Sequence, residues 1–127
     1  MSHEPQVLFL AMRNFKQLKI WQKGFSIAVR AINLTQSFPT QEKFGLSSQI
    51  TRSAVSIPSN IAEGSSRTSD KDYSRFIEIL GSSFELETQL LIAEAVSYGS
   101  KEMLSELLNE LDEEQKMLMS FHSCLKA

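Results

Sequence analysis

The apolar residues of this chain recur at steps of three and four, a spacing that places them on one face of an α-helix. Phe15, Leu18, Phe25, Val29 and Ile32 keep this spacing in the first segment. Three further segments, at about 41–63, 70–98 and 101–125, have the same period. No segment shows the strict alternation of a half-buried strand. The pattern therefore predicts an all-α chain with four helices.

Proline and glycine mark the ends of these helices. Pro39 ends the first helix, because the residue before a proline is pushed out of the helical region. Gly64 and Gly99 suit the left-handed ends of the second and third helices. Short connections favour antiparallel neighbours, so the sequence predicts an antiparallel up-down-up-down four-helix bundle over residues 13–127. Residues 1–12 are expected to form a flexible extension, and Met12 is an alternative start.

Pro58 lies inside the second helix, where it removes a backbone donor and frees the carbonyl of Ala54. One bent helix is favoured over a new helix beginning at Pro58, because Ile57 would be a poor cap. Ser56 and Asn60 lie within a turn of the break. We expect them to satisfy the freed carbonyl directly or through water.

A row of polar residues follows one edge of the second helix. Its members share an arc of roughly 100° beside the apolar arc, and they are Gln49, Arg52, Ser53, Ser56, Asn60 and Glu63. Two edges of this helix are therefore expected to face different surroundings.

A hairpin turning at about residues 66–67 would place Ser53 beside Leu80 and Gly81. Small residues facing small residues would allow a close helix approach. Arg52 would then come within reach of Glu85. Glu87 lies near the apolar stripe of the third helix, where an unpaired carboxylate is costly, so a basic partner or a subunit boundary is expected there.

Length and composition indicate one domain. With 127 residues, 42% of them hydrophobic, the chain is long enough for a single core. The one cysteine cannot form an internal disulfide, which favours a reducing compartment, and we expect the cytoplasm. The apolar run 7–12 is too short for a signal peptide or a membrane span, so no membrane partner is expected.

The net charge of −2 conceals an asymmetry. Residues 1–75 carry ten Lys/Arg and five Asp/Glu, a balance of +5, whereas residues 76–127 carry three and ten, a balance of −7. Such a split can form a polyanion-binding surface, or it can pair the basic helices of one chain with the acidic helices of another. Two solvated faces that simply differ are the third alternative.

Catalytic chemistry finds little support in the sequence. A di-metal site in a bundle needs Glu-x-x-His pairs on two helices, but the only histidines are His3 and His122. No glycine-rich phosphate loop follows a strand. We therefore expect no enzyme activity, no metal and no cofactor, although an enzyme of unrecognised type stays open.

One long motif resembles a known family. The run Gln49-Ile-x-Arg-x-Ala-Val-Ser-Ile-Pro-Ser-Asn-Ile-Ala-Glu-Gly64 lies between Phe15-Lys-x-Leu-x-x-Trp21 and Gly81-Ser-x-x-Glu-Leu-Glu-Thr-Gln89. Over about residues 13–122 this pattern resembles the bundle proteins encoded in intervening sequences of bacterial 23S ribosomal RNA genes.

The resemblance implies a four-helix bundle that assembles as a ring of five, similar to the accessory protein of diversity-generating retroelements, which binds nucleic acid and its reverse transcriptase. It implies no established enzymatic activity. The motif residues that it assigns to bundle organisation or subunit contacts are Gln49, Arg52, Ser56, Pro58, Asn60, Glu63, Gly64, Gly81, Glu85 and Glu87.

Two functions follow as hypotheses. The first is a non-catalytic homo-oligomeric scaffold that recruits a partner protein, which the acidic pI of about 5.7 favours. The alternative is an RNA- or DNA-binding accessory protein. Its candidate basic surface consists of Lys16, Lys19, Lys23, Arg30, Arg52 and Arg67. No base-stacking platform of exposed aromatic side chains is evident from the sequence.

Overall fold

The computed structural model describes residues 14–65 and 71–126, with side chains for 14–65 and 75–123. Within these residues the chain forms four α-helices and two short 3₁₀ turns, with no strand. The helices are α1 (Lys19–Thr35), α2 (Leu46–Ser65), α3 (Lys71–Ala95) and α4 (Lys101–Lys126). The all-helical prediction is confirmed.

The four helices enclose one apolar core. α1 and α3 each pack against both α2 and α4. Burial of leucine and isoleucine side chains is the main stabilising contribution, at about 1.5–3 kcal/mol for each fully buried side chain. The largest fully buried apolar residues are Ile27, Leu34, Ile50, Ile57, Leu86, Leu90, Leu104, Leu107, Leu111 and Leu118. None of the described helices has the length and apolarity needed to cross a membrane.

The second helix begins later than the sequence predicts. Residues Thr40–Glu42 form a 3₁₀ turn, and α2 starts at Leu46. The reason is a cap supplied from outside the helix: Oε1 of Glu42 accepts a hydrogen bond from the backbone N–H of Leu46 at 3.2 Å. This bond satisfies one of the donors that every helix start leaves unpaired.

Pro58 lies within one continuous helix, as expected. Ser56 Oγ donates a hydrogen bond to the carbonyl of Ser53 at 3.0 Å, and Asn60 Nδ2 donates to the carbonyl of Ser56 at 2.8 Å. These acceptors lie on either side of Ala54, so neither side chain makes the direct bond to the Ala54 carbonyl that was one of the two expected alternatives.

The register of α2 against α3 also differs from the predicted hairpin. Ser53 Oγ donates to Oε1 of Gln89 at 2.7 Å, and Arg75 Nη1 donates to Oδ1 of Asn60 at 2.7 Å. Ser53 therefore pairs with Gln89 rather than lying beside Leu80 and Gly81, and the predicted turn at 66–67 lies outside the described residues. Gly81 is exposed, and a Cβ added there would meet no atom within 4 Å, so it makes no close helix contact.

Candidate functional site

An apolar groove runs along the outer side of α1 and α2. Phe25 is 51% exposed and Val29 is 43% exposed, although both project among other apolar side chains. Trp21 stacks on Phe25 with ring centroids 5.2 Å apart. We call this surface the α1–α2 groove; it is lined by Trp21, Phe25, Ala28, Val29, Ile32, Val55, Pro58, Ser59 and Ala62.

A second apolar surface lies on α3. Ile77, Phe84 and Leu91 recur at seven-residue steps and are 48%, 52% and 46% exposed. We call them the α3 stripe. At 100° per residue the stripe lies roughly 60° around the helix from Glu87 and roughly 140° from Gln89. Because Glu87 contacts α4 and Gln89 contacts α2, the stripe lies on the α4 side of α3.

The two surfaces therefore lie on opposite flanks of the bundle. The α1–α2 edge lies across from the α3–α4 edge, because α1 and α3 each contact both α2 and α4. Contiguous exposed apolar surface on a small protein marks an interaction site. The three- and four-residue period of the third helix does not separate the exposed stripe from the core residues, so the stripe was not predicted from the sequence.

The predicted basic residues do not form one uniform surface. Lys16, Lys19 and Arg30 are exposed. Lys23 instead joins α1 to α4, with Nζ 2.7 Å from Glu113 and 3.0 Å from Glu110. Arg67 lies outside the described residues.

The pairing of Lys23 alters its titration. Hydrogen bonds to Glu113 and Glu110 favour the charged form, so they raise the pKa of Lys23 against the opposing effect of burial. Part of the charge split in the sequence is therefore neutralised inside a single chain. The ion pairs lie between the basic α1 and the acidic α4.

Arg75 organises one end of the polar row on α2. Its Nη1 lies 2.7 Å from Asn60 Oδ1 and 2.9 Å from carboxylate oxygens of Glu63 and Glu78. A Cβ at Gly64 would lie 2.9 Å from Cγ of Arg75, so glycine leaves space for the arginine stem. Arg75 was not predicted from the sequence, because it lies outside the motif and residue spacing does not indicate that it contacts Asn60.

Other polar residues of the motif have different environments. Glu87 accepts a hydrogen bond from Gln115 Nε2 at 3.0 Å, so its partner within the chain is a neutral amide of α4 rather than a basic group, and the alternative of a subunit boundary stays a prediction. Gln49 and Glu85 are exposed. Arg52 is also exposed, and it makes no ion pair with Glu85 or with any other described residue.

Glu114 is a buried carboxyl that sequence analysis did not identify. Its relative exposure is 0%, and neither carboxyl oxygen has a hydrogen-bond partner among the residues that the structure describes. Burial raises the pKa of Glu114 to about 8, although the positive charge of Lys23 acts in the opposite direction. The side chain is therefore mostly neutral at pH 7. Among the described residues, no three His, Cys, Asp or Glu side chains cluster to hold a metal ion.

Comparisons with known proteins agree with the four-helix architecture. The sequence model of the 23S rRNA-intervening sequence protein family matches residues 16–120. A crystal structure of a protein of unknown function, from the S23 ribosomal protein family of Bacteroides thetaiotaomicron, is similar with a TM-score of 0.73 and 29% sequence identity. The similarity covers 85% of this chain and 96% of that one. No curated protein matches the sequence.

Proposed function

The chain belongs to the 23S rRNA-intervening sequence protein family, and from this premise we propose that it is a non-catalytic oligomeric bundle that recruits a partner protein. The observation that carries the proposal is the presence of two exposed apolar surfaces on opposite flanks. A monomer in water would leave both the α1–α2 groove and the α3 stripe solvated, which is unfavourable.

The two surfaces are suited to contact each other between copies. If the α3 stripe of one chain enters the α1–α2 groove of the next, the contact is head-to-tail, and it closes into a ring when the rotation between copies allows closure. Five copies is the number that the sequence resemblance implies. The contacts of Ser53 with Gln89 and of Asn60 with Arg75 support an antiparallel arrangement of α2 and α3 within each copy.

Absolute mass from light scattering on a sizing column tests the assembly. We expect a multimer for the wild type and a monomer for either Val29→Glu or Phe84→Glu, because each substitution places a charge in one apolar surface. Met103→Glu is the matched control: Met103 is 40% exposed on α4 and shares a helix face with Glu110, which contacts Lys23 of α1, so it lies away from both surfaces. A monomeric wild type, or an unchanged mass for Phe84→Glu, would contradict the proposal.

Mixing the two variants tests the head-to-tail geometry. Phe84→Glu retains an intact groove and Val29→Glu retains an intact stripe, so the mixture should form a one-to-one dimer and nothing larger. A mixture that stays monomeric would show that the two surfaces are not complementary. Partner recruitment is then tested by coexpression with the protein encoded beside this one, which should copurify with wild type and with Met103→Glu but not with Phe84→Glu.

Nucleic-acid binding is the second candidate function. The observation that favours it is the exposure of Lys16, Lys19 and Arg30 on or just before α1. Contacts of such residues with phosphate are independent of sequence and weaken steeply with salt. The triple substitution of these three residues by Glu should abolish RNA binding at low salt, whereas Lys101→Glu, at the start of α4, should not. Absence of RNA binding by the wild type at low salt would end this candidate.

A further inference from the structure

An open cleft of mixed polarity lies at the loop between α1 and α2. Its volume is about 650 Å³, within the range of about 300–1,000 Å³ that is usual for small-molecule sites. The charged, hydroxyl and aromatic side chains on the α2 side of its lining are Lys43, Phe44, Ser47, Ser48, Thr51 and Arg52. Phe44 is 89% exposed, the highest exposure among the large apolar side chains described.

The loop that carries Phe44 is anchored from behind. Oε2 of Glu42 accepts a hydrogen bond from the Tyr98 hydroxyl at 3.0 Å, while Oε1 accepts from the N–H of Leu46. These bonds hold the loop to the ends of α3 and α2. The Phe44 ring is therefore exposed on a loop that these hydrogen bonds hold in place.

The charges of the cleft are positive. Lys43 Nζ lies 5.5 Å from the centroid of the Phe44 ring, and Arg52 has no ion pair with any described residue. Glu42 is the nearest acid in sequence, but it does not line the cleft, and both of its oxygens accept hydrogen bonds elsewhere. Ser47, Ser48 and Thr51 add hydroxyl donors, which commonly bind phosphate oxygens.

We propose that this cleft binds a nucleotide unit of a single nucleic-acid strand, with the base stacked on Phe44 and a phosphate held by Lys43 and Arg52. The inference rests on the second candidate function and specifies its ligand. A base in a duplex is already stacked, so an exposed protein ring selects unpaired bases. Exposed aromatic side chains for base stacking were not evident from the sequence, because the exposure of a loop residue such as Phe44 cannot be read from helical periodicity.

A protein partner is the main alternative occupant, and the lining argues against it. The neighbouring α1–α2 groove is almost entirely apolar, whereas this cleft combines two cations with several hydroxyl groups. Charged residues are depleted at the core of protein interfaces. A phosphate-bearing ligand uses both the cations and the hydroxyl groups.

Fluorescence anisotropy with a labelled 12-nucleotide single-stranded RNA tests the proposal on the full chain. Phe44→Ala should weaken binding by about 5- to 150-fold, the usual effect of removing one stacking ring. Phe44→Tyr should retain the wild-type affinity, whereas Phe44→Leu should behave like Phe44→Ala because it restores apolar bulk without a ring face. Lys43→Ala and Arg52→Ala should each lower the salt slope by about 0.7, and Lys101→Ala should leave it unchanged.

Three outcomes would overturn the proposal. Phe44→Ala could bind the RNA as tightly as wild type, or Phe44→Leu could restore binding. The mass of the Phe44→Ala assembly could also differ from that of wild type at equal protein concentration, which would indicate that Phe44 lies in a protein interface. If wild type and Phe44→Ala bind the 12-nucleotide RNA equally well, the proposed role of the cleft is wrong, but the second candidate function is not. A labelled mononucleotide distinguishes a free nucleotide from a strand: tighter binding of the mononucleotide than of the strand would overturn the strand assignment.

Discussion

Glu114 on α4 and Gly24 on α1 face each other inside the bundle, and a Cβ at Gly24 would lie 3.0 Å from Oε2 of Glu114. The same Cβ would lie 3.2 Å from Cγ2 of Ile57 and 3.6 Å from the backbone nitrogen of Pro58. Three helices therefore converge at one residue without a side chain. The absence of a Cβ leaves the space that the buried carboxyl occupies.

Gly24→Ala should destabilise the protein by about 1 kcal/mol. Alanine gains about 1 kcal/mol of helix propensity over glycine, but overpacking a buried contact costs about 1–3 kcal/mol. In a Glu114→Ala background the contact with Oε2 is removed and only the contact with Ile57 remains, so Gly24→Ala should there cost less than in the wild type. Urea unfolding of the four proteins of this double-mutant cycle measures the coupling; additive effects would show that the two side chains do not compete for space.

Stability should fall as pH rises from about 4.5 to about 8. The pKa of the Glu114 carboxyl is about 8 in the folded chain, against an ordinary value of 4.5. Between these values the folded state holds a proton that the unfolded state has lost, so the free energy of unfolding decreases by about 1.4 kcal/mol per pH unit. Above pH 8 both states are ionised, and this contribution no longer changes with pH.

Glu114→Gln isolates this effect, because the amide is uncharged at every pH. The variant should match the wild type near pH 5 and exceed it in stability above pH 8. Urea unfolding across this range gives the difference curve. Parallel curves for the two proteins would contradict the buried-carboxyl interpretation, whatever other groups titrate.

Lys23→Met should lower the free energy of unfolding by about 1 kcal/mol, and it should make this free energy less dependent on salt. The lysine side chain is 18% exposed and bridges two carboxylates of α4, whereas exposed single pairs contribute about 0–1 kcal/mol. Lys116→Met is the control, since the pair of Lys116 with Asp112 is 78% and 62% exposed. Equal effects of the two substitutions in urea unfolding would show that the bridge from α1 to α4 adds nothing.

Ser53→Ala should destabilise the protein by about 1–3 kcal/mol, because it leaves Oε1 of buried Gln89 without its donor. The double variant Ser53→Ala with Gln89→Leu should recover most of this loss, since both partners become apolar. Thermal or urea unfolding measures both. A double variant less stable than Ser53→Ala alone would mean that Gln89 has a further role.

The sequence predicted the helices because their apolar period is long and regular, as in α4. Contacts between side chains of different helices were harder to predict from the sequence. The pairing of Arg75 with Asn60 and that of Lys23 with Glu113 depend on how two helices are rotated and offset, which residue spacing along one helix does not determine. The buried Glu114 beside Gly24 could not be told apart in the sequence from the other acidic residues of α4. Phe44 was missed because its loop has no periodicity.

The neutral state of Glu114 makes folding a proton-uptake reaction. With this carboxyl protonated, the formal charge of the folded chain at pH 7 is −1 rather than the −2 that its composition gives. Unfolding at that pH releases close to one proton to the solution. The calorimetric enthalpy of unfolding should therefore shift with the ionisation heat of the buffer, so that the heat absorbed in phosphate and in Tris differs for wild type and coincides for Glu114→Gln.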